Sequence, residues 1–209
     1  MASDNPRGLI PMRSLDGNPT GVTRRFSVSA NNPAAIFKGD PVTFFNGHVR
    51  VIATSTPSAG EPGVLGVATA IYDSNARPLT HSLPSGGQFL DASTAGFVDV
   101  ACSPDQTFLA STDATAARSM IGQFTRVSSA GANSAAGVSG FLVKLADATT
   151  TNTTAHQFMI IGVGPNEEAT GGIGDNAFAN NQDIEVIISD HAFRRKVIIA
   201  GVATVKVGV

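Results

Sequence analysis

Short apolar stretches alternate along this chain with clusters of Gly, Pro, Ser and Asn. Some of these stretches alternate apolar and polar positions, as residues 24–28 do, whereas others, such as residues 63–72, are longer apolar runs. The stretches recur at intervals of roughly 10–20 residues, and no long amphipathic helix is visible. The pattern predicts an all-β protein whose body is a β-barrel or a β-sandwich.

Two short segments carry specific local predictions. Asn46-Gly47 separates the apolar runs 42–45 and 48–52. Both central residues of a type I′ turn need a positive φ, which Asn and Gly tolerate, so this dipeptide predicts a tight β-hairpin. Residues 113–119 are the one place where one or two helical turns are expected, with Asp113 as the N-cap.

Residues 1–22 have the composition of an extended N-terminal arm. Six Pro and Gly residues interrupt any regular period, yet several positions between them are apolar. Apolar side chains are unfavourable in a tail surrounded by water. We therefore expect the arm to lie on a partner rather than on its own domain. The predicted partner-binding residues are Arg7, Leu9, Ile10, Met12, Arg13 and Leu15.

The content of charged residues is low, which favours a protein that is packed against others in an assembly. Charged residues make up 14% of the chain, against roughly 25% in ordinary soluble domains. Small neutral side chains lose little entropy when a partner covers them. We therefore expect a homo-oligomer, with a trimer favoured over a dimer.

The sign of the charge argues against a nucleic-acid binder, because the net charge is −2. Residues 1–50 carry six basic and three acidic groups, and the remainder of the chain is acidic overall. Either the basic N-terminal part docks on an acidic partner surface, or the asymmetry is ordinary fluctuation in a sparsely charged chain.

No motif for catalysis, a cofactor or a metal is visible. The four histidines have no metal-binding spacing, no G-x-S-x-G occurs, and the Gly-rich segments lack the spacing of dinucleotide or phosphate loops.

Cys102 cannot form an intrachain disulfide and is expected in the core. The N-terminus lacks a signal-peptide h-region, and no run of 18 apolar residues occurs. We expect a protein made in a reducing cytoplasm, with no catalytic residues and no membrane contact.

Short phrases spread in order over residues 5–191 resemble a family of small structural proteins of tailed bacteriophages, the capsid cement or decoration proteins. They are NPRGLIP at 5–11, LDGNP at 15–19, TRRF at 23–26, IFKGDPV at 36–42, GVLGV at 63–67, GVSG at 137–140, IIGVGPNE at 160–167 and IISDH at 187–191. Each phrase alone is short and mostly structural.

The resemblance implies a β-barrel or β-tulip-like body over residues 23–191, no catalysis and no cofactor. It also implies a place on the outer capsid surface of the virion, where the protein bridges major capsid protein subunits and stabilises the shell. A tail or head–tail-junction protein is the second reading. A carbohydrate-binding β domain is the third, because the chain has no Trp and one Tyr for stacking on sugars.

Residues 192–209 continue beyond the part that resembles the family. This C-terminal extension alternates apolar and polar positions and contains the predicted oligomer contacts Val197, Ile198, Ile199, Val205 and Val207. A strand of this kind left unpaired invites aggregation. We expect it either as a strand of its own sheet or exchanged onto a neighbouring copy. Exchange is favoured because the resembled body is complete without it.

Overall fold

The computed structural model describes residues 7–15, 23–52, 63–79, 88–129, 131–132, 134, 137–151, 156–163, 183–193, 195–197 and 205–207. The protein is all-β, as the apolar pattern predicts, and its only described helical element is one 3-10 turn at Arg118–Met120. The strands are β1 (Leu9–Ser14), β2 (Thr23–Val28), β3 (Ile36–Phe37), β4 (Pro41–Phe45), β5 (His48–Val51), β6 (Gly66–Asp73), β7 (Phe89–Leu90), β8 (Gly96–Ala101), β9 (Gln106–Ser111), β10 (Phe124–Ser129), β11 (Phe141–Thr149), β12 (Phe158–Val163), β13 (Asp183–Ile188), β14 (Arg195–Val197) and β15 (Val205–Val207).

Two large antiparallel sheets form the body. One has six strands in the order β1-β9-β13-β12-β10-β11, and the other has five in the order β2-β8-β6-β4-β5. The short strands β3 and β7 form a separate pair, as do β14 and β15. Strand β9 therefore lies between the first strand of the chain and a strand near its end.

Both large sheets curl strongly without closing. In the five-stranded sheet, the edge strands β2 and β5 approach each other, and Ser27 Oγ lies 3.0 Å from His48 Nδ1. In the six-stranded sheet, a single parallel bridge joins Thr112, just after β9, to Val143 of β11. Among the described residues no backbone ladder completes either ring. The all-β prediction is therefore confirmed, and of its two alternatives, barrel and sandwich, the sandwich-like body is the one observed.

The core consists of two clusters of buried apolar side chains. The larger cluster contains Phe108 and Phe158 of the six-stranded sheet together with Val67 and Ala101 of the five-stranded sheet, so it joins the two. The smaller cluster lies on the other face of the five-stranded sheet, where the β3–β7 pair packs over it. Cys102 is buried in this second cluster, as predicted, and burial raises the pKa of its thiol.

The two local predictions have different outcomes. Asn46 and Gly47 have φ values of 49° and 79°, and they join β4 to β5 in the predicted hairpin. Helical structure near residues 113–119 is a single 3-10 turn, and Asp113 does not cap it. Its carboxylate instead accepts a hydrogen bond from Leu145 N–H in the middle of β11 at 2.8 Å, which satisfies a backbone donor of that strand.

Candidate functional site

The N-terminal segment is part of the body. Strand β1 pairs antiparallel with β9 along its length, with Leu9 opposite Ala110 and Ser14 opposite Gln106. Leu9 is only 1% exposed and belongs to the larger core cluster. The prediction that the arm does not pack on its own domain is therefore wrong for β1. This strand pairs with the edge of β9, and its residue Leu9 packs in the core. Residues 1–6 and 16–22 of the predicted arm lie outside the described residues.

A tight contact fixes the start of β1. Gly8 has a φ of +73°, and a Cβ atom there would lie 2.5 Å from both Gly39 O and Ser139 Oγ. Leu9 N–H donates to Gly39 O at 2.8 Å. Three segments that are distant in sequence therefore meet at Gly8, and only glycine allows the approach.

Asp40 lies buried beneath this contact, at 2% exposure. Its Oδ2 accepts a hydrogen bond from Phe37 N–H at 2.8 Å, whereas its Oδ1 has no hydrogen-bond partner in the described part of the chain. Burial raises the pKa of Asp40 to about 7, against the lowering effect of hydrogen bonds from Ser139 and from Phe37 N–H. The sequence offered no sign of this, because Gly39-Asp40-Pro41 has the composition of a solvated turn.

Ion pairs tie β1 to β13 across the intervening strand. Arg7 donates to the carboxylate of Asp183, which also accepts a hydrogen bond from Ser111 Oγ at 3.0 Å. Arg13 Nε lies 3.5 Å from Glu185 Oε1. Arg7 and Arg13, which were predicted to bind a partner, thus form ion pairs with carboxylates of their own chain.

A third N-terminal arginine is paired in the same way. Arg25 of β2 makes two hydrogen bonds to Asp99, at 2.8 and 3.1 Å, and its guanidinium lies 3.8 Å from the centre of the Tyr72 ring. The hydrogen bonds from Arg25 are the largest cause that lowers the pKa of the Asp99 carboxyl. Pairing within the chain therefore accounts for at least half of the six basic groups in residues 1–50.

Besides Arg13, the exposed side chains of this segment are apolar. Ile10 is 38% exposed, Met12 37% and Leu15 60%. We call these three residues the β1 patch. Of the six predicted partner-binding residues, the structure thus assigns Leu9 to the core, Arg7 and Arg13 to internal ion pairs, and the other three to this patch.

The C-terminal extension pairs with itself. Strand β14 runs antiparallel to β15, with Val197 opposite Val205 and Arg195 opposite Val207. This hairpin is separate from the two large sheets, so the described residues do not form a strand of the body's own sheets. Exchange between copies stays a prediction, and Ile198 and Ile199 lie outside the described residues.

No metal-binding cluster of His, Cys, Asp and Glu side chains occurs among the described residues. The same residues include no helix that is long and apolar enough to cross a membrane. Comparisons of the chain with protein-family models, with curated proteins and with solved structures find no match.

Proposed function

We propose that this chain is a structural protein of a tailed-phage virion, made in the host cytoplasm, that binds the outer capsid surface. In this role it bridges major capsid protein subunits and adds interface area without altering their fold. It carries out no reaction and uses no cofactor. The proposal is supported by the phrases that resemble capsid cement proteins over residues 5–191 and by the surface of β1.

The β1 patch is the observation that carries the proposal. Six large hydrophobic side chains are exposed in the described part of the chain, and three of them lie within six consecutive residues, 10–15. The other three are dispersed in the sequence: Phe45, Ile121 and Phe193. Scattered exposed apolar residues are ordinary, whereas a cluster of them marks a contact surface.

The partner is expected to contact side chains of β1 rather than extend its sheet. Leu9 N–H points away from β9, because it donates to Gly39 O. The next residue with the same orientation is Pro11, which has no N–H, and the register of β1 shifts between Pro11 and Ser14. An edge with few free donors and an irregular register resists strand addition.

A patch on a paired strand can also bind a partner with little loss of conformational entropy. The strand is already ordered by β9, so binding costs little further backbone entropy. Several copies on one shell multiply weak contacts through avidity. A homotrimer is part of the proposal, because capsid lattices offer three-fold positions, and a dimer is its alternative.

Shortening the side chains of the patch should weaken capsid binding and spare the fold. In the double variant Met12→Ser/Leu15→Ser, two partly exposed apolar side chains are lost that a partner would bury. We expect roughly tenfold or greater loss of affinity for empty capsids of the phage that encodes the chain, measured by co-sedimentation. The melting temperature should stay within a few degrees of wild type.

Ile121→Ser is the matched control, since Ile121 is an equally exposed apolar residue, at 40%, outside the patch. It should bind capsids as the wild type does. Equal binding by the double variant and the control would overturn the role of the patch. A wild-type chain that does not sediment with capsids at all would overturn the proposed function.

A further inference from the structure

A cleft of about 350 Å³ opens beside the outer edge of β1, between the two large sheets. Residues 9–11 of β1 line it from the six-stranded sheet, and residues 68–69 of β6 line it from the five-stranded sheet. The turn between β3 and β4 contributes residues 38–39, and residues 137–138 also line it. The cleft is continuous with the β1 patch, because Ile10 belongs to both.

Backbone hydrogen bonds fix the walls of the cleft relative to one another. Leu9 N–H donates to Gly39 O at 2.8 Å, and Gly39 N–H donates to Ala68 O at 2.8 Å. The main chain of Lys38 is held as well, since its N–H donates to Gln88 O at 2.9 Å. The cleft is therefore already formed in the isolated chain, and binding there orders little further backbone.

The cleft is small and its walls are mainly apolar. Ile10, Pro11 and Val138 are partly exposed, and Leu9 and Ala68, which also line it, are each 1% exposed. A volume of about 350 Å³ is at the lower end of the range of ligand sites. It suits one or two aliphatic side chains rather than a helix or an added strand. Pockets of this kind receive the anchor residues of protein interfaces.

The charge beside the cleft is positive. Arg7 and Lys38 are the charged residues among the described lining, and none of that lining is acidic. Arg7 pairs with Asp183 of its own chain. Lys38 is exposed and forms no ion pair with a described residue. An ammonium group next to an apolar cleft is complementary to a carboxylate that lies next to an aliphatic side chain.

We propose that the cleft binds an acidic, aliphatic segment of the major capsid protein. An aliphatic side chain of that segment enters between β1 and β6, and an Asp or Glu within two residues of it pairs with Lys38. This inference rests on the proposed function and specifies the chemistry of the surface that covers the β1 patch. The segment binds through side chains, which agrees with an edge of β1 that resists strand addition.

Changes of charge at Lys38 test the role of the carboxylate. In co-sedimentation with empty capsids of the phage that we propose as the source of the chain, Lys38→Gln should bind about threefold or more weakly. Lys38→Glu should bind more weakly still, and Lys38→Arg should restore most of the affinity. The loss should shrink at high salt, because salt screens exposed charges.

Arg77→Gln is the matched control. It also removes one positive charge from an exposed residue, and Arg77 does not line the cleft. This variant should bind capsids as the wild type does.

Carbodiimide cross-linking of capsids loaded with the wild-type chain, followed by mass spectrometry, identifies the partner residue. The reagent joins an amine to a carboxylate that already contacts it. We expect Lys38 to be joined to an Asp or Glu of the major capsid protein, with Ile, Leu or Val within two residues of it.

The outcomes separate this inference from the proposed function. A wild-type chain that does not sediment with capsids would refute both. If the wild type binds, equal binding by Lys38→Gln and Arg77→Gln, or tighter binding by Lys38→Glu, would overturn the inference about the cleft alone. So would the absence of a cross-link from Lys38 to the major capsid protein, or a cross-link to a carboxylate without an aliphatic neighbour.

Discussion

Replacing Asp40 by asparagine should stabilise the protein more at pH 8 than at pH 5, with a difference of about 2.5 kcal/mol in the free energy of unfolding. The folded-state pKa of Asp40 is raised from 3.8 to about 7 by burial. The folded protein therefore binds this proton more tightly than the unfolded chain does. Stability is highest when the group is protonated and falls as the pH rises from about 4 to about 7.

Asparagine is a suitable replacement because it is close in size and keeps an oxygen for Phe37 N–H. Its amide can also donate to Ser139 Oγ, the neighbour that affects Asp40. The asparagine side chain carries no charge, so the variant avoids the cost of a buried carboxylate at high pH.

Urea denaturation of wild type and variant at pH 5, 6, 7 and 8 provides the measurement. The difference between the two proteins at each pH isolates Asp40 from other titrating groups. Asp91→Asn is the control, because Asp91 is exposed. A difference for Asp40→Asn that is the same at pH 5 and at pH 8 would contradict the account.

Leu9→Ala should destabilise the protein by about 2–5 kcal/mol, the usual cost of such a change in a packed core. Leu9 contacts the larger core cluster and is 1% exposed. Its neighbour Ile10 is 38% exposed, so Ile10→Ala should cost less than about 1 kcal/mol. The contrast between adjacent residues follows from the alternation of side chains along a strand.

Thermal and urea unfolding of the two variants are the measurements. An arm that lies only on a partner would give small and equal effects for Leu9→Ala and Ile10→Ala in the isolated protein. That result would contradict the place of β1 in the six-stranded sheet. Deletion of residues 1–22 should likewise destabilise the body, so point variants of the β1 patch are the better test of binding.

The sequence predicted local features of the fold well. The apolar stretches correspond to most of the strands, and the Asn46-Gly47 turn was predictable because its φ requirement is a property of two adjacent residues. Strand β1 was mistaken for an arm because Gly8 and Pro11 interrupt its period. Its partner β9 lies almost 100 residues away, and nothing in the local pattern specifies that pairing.

The candidate sites were predicted less completely for the same reason. The exposure of Ile10, Met12 and Leu15 agrees with a contact role, yet only the structure separates them from buried Leu9.

Binding of this chain to the outer face of a capsid through the β1 patch is the central claim. Cryo-electron microscopy of virions from the phage that we propose as the source of the chain tests it most directly. We expect density for the two-sheet body on the outer shell, with Ile10, Met12 and Leu15 covered by major capsid protein subunits. Density for this chain in the tail or at the head–tail junction, or on the shell with the β1 patch facing solvent, would contradict it.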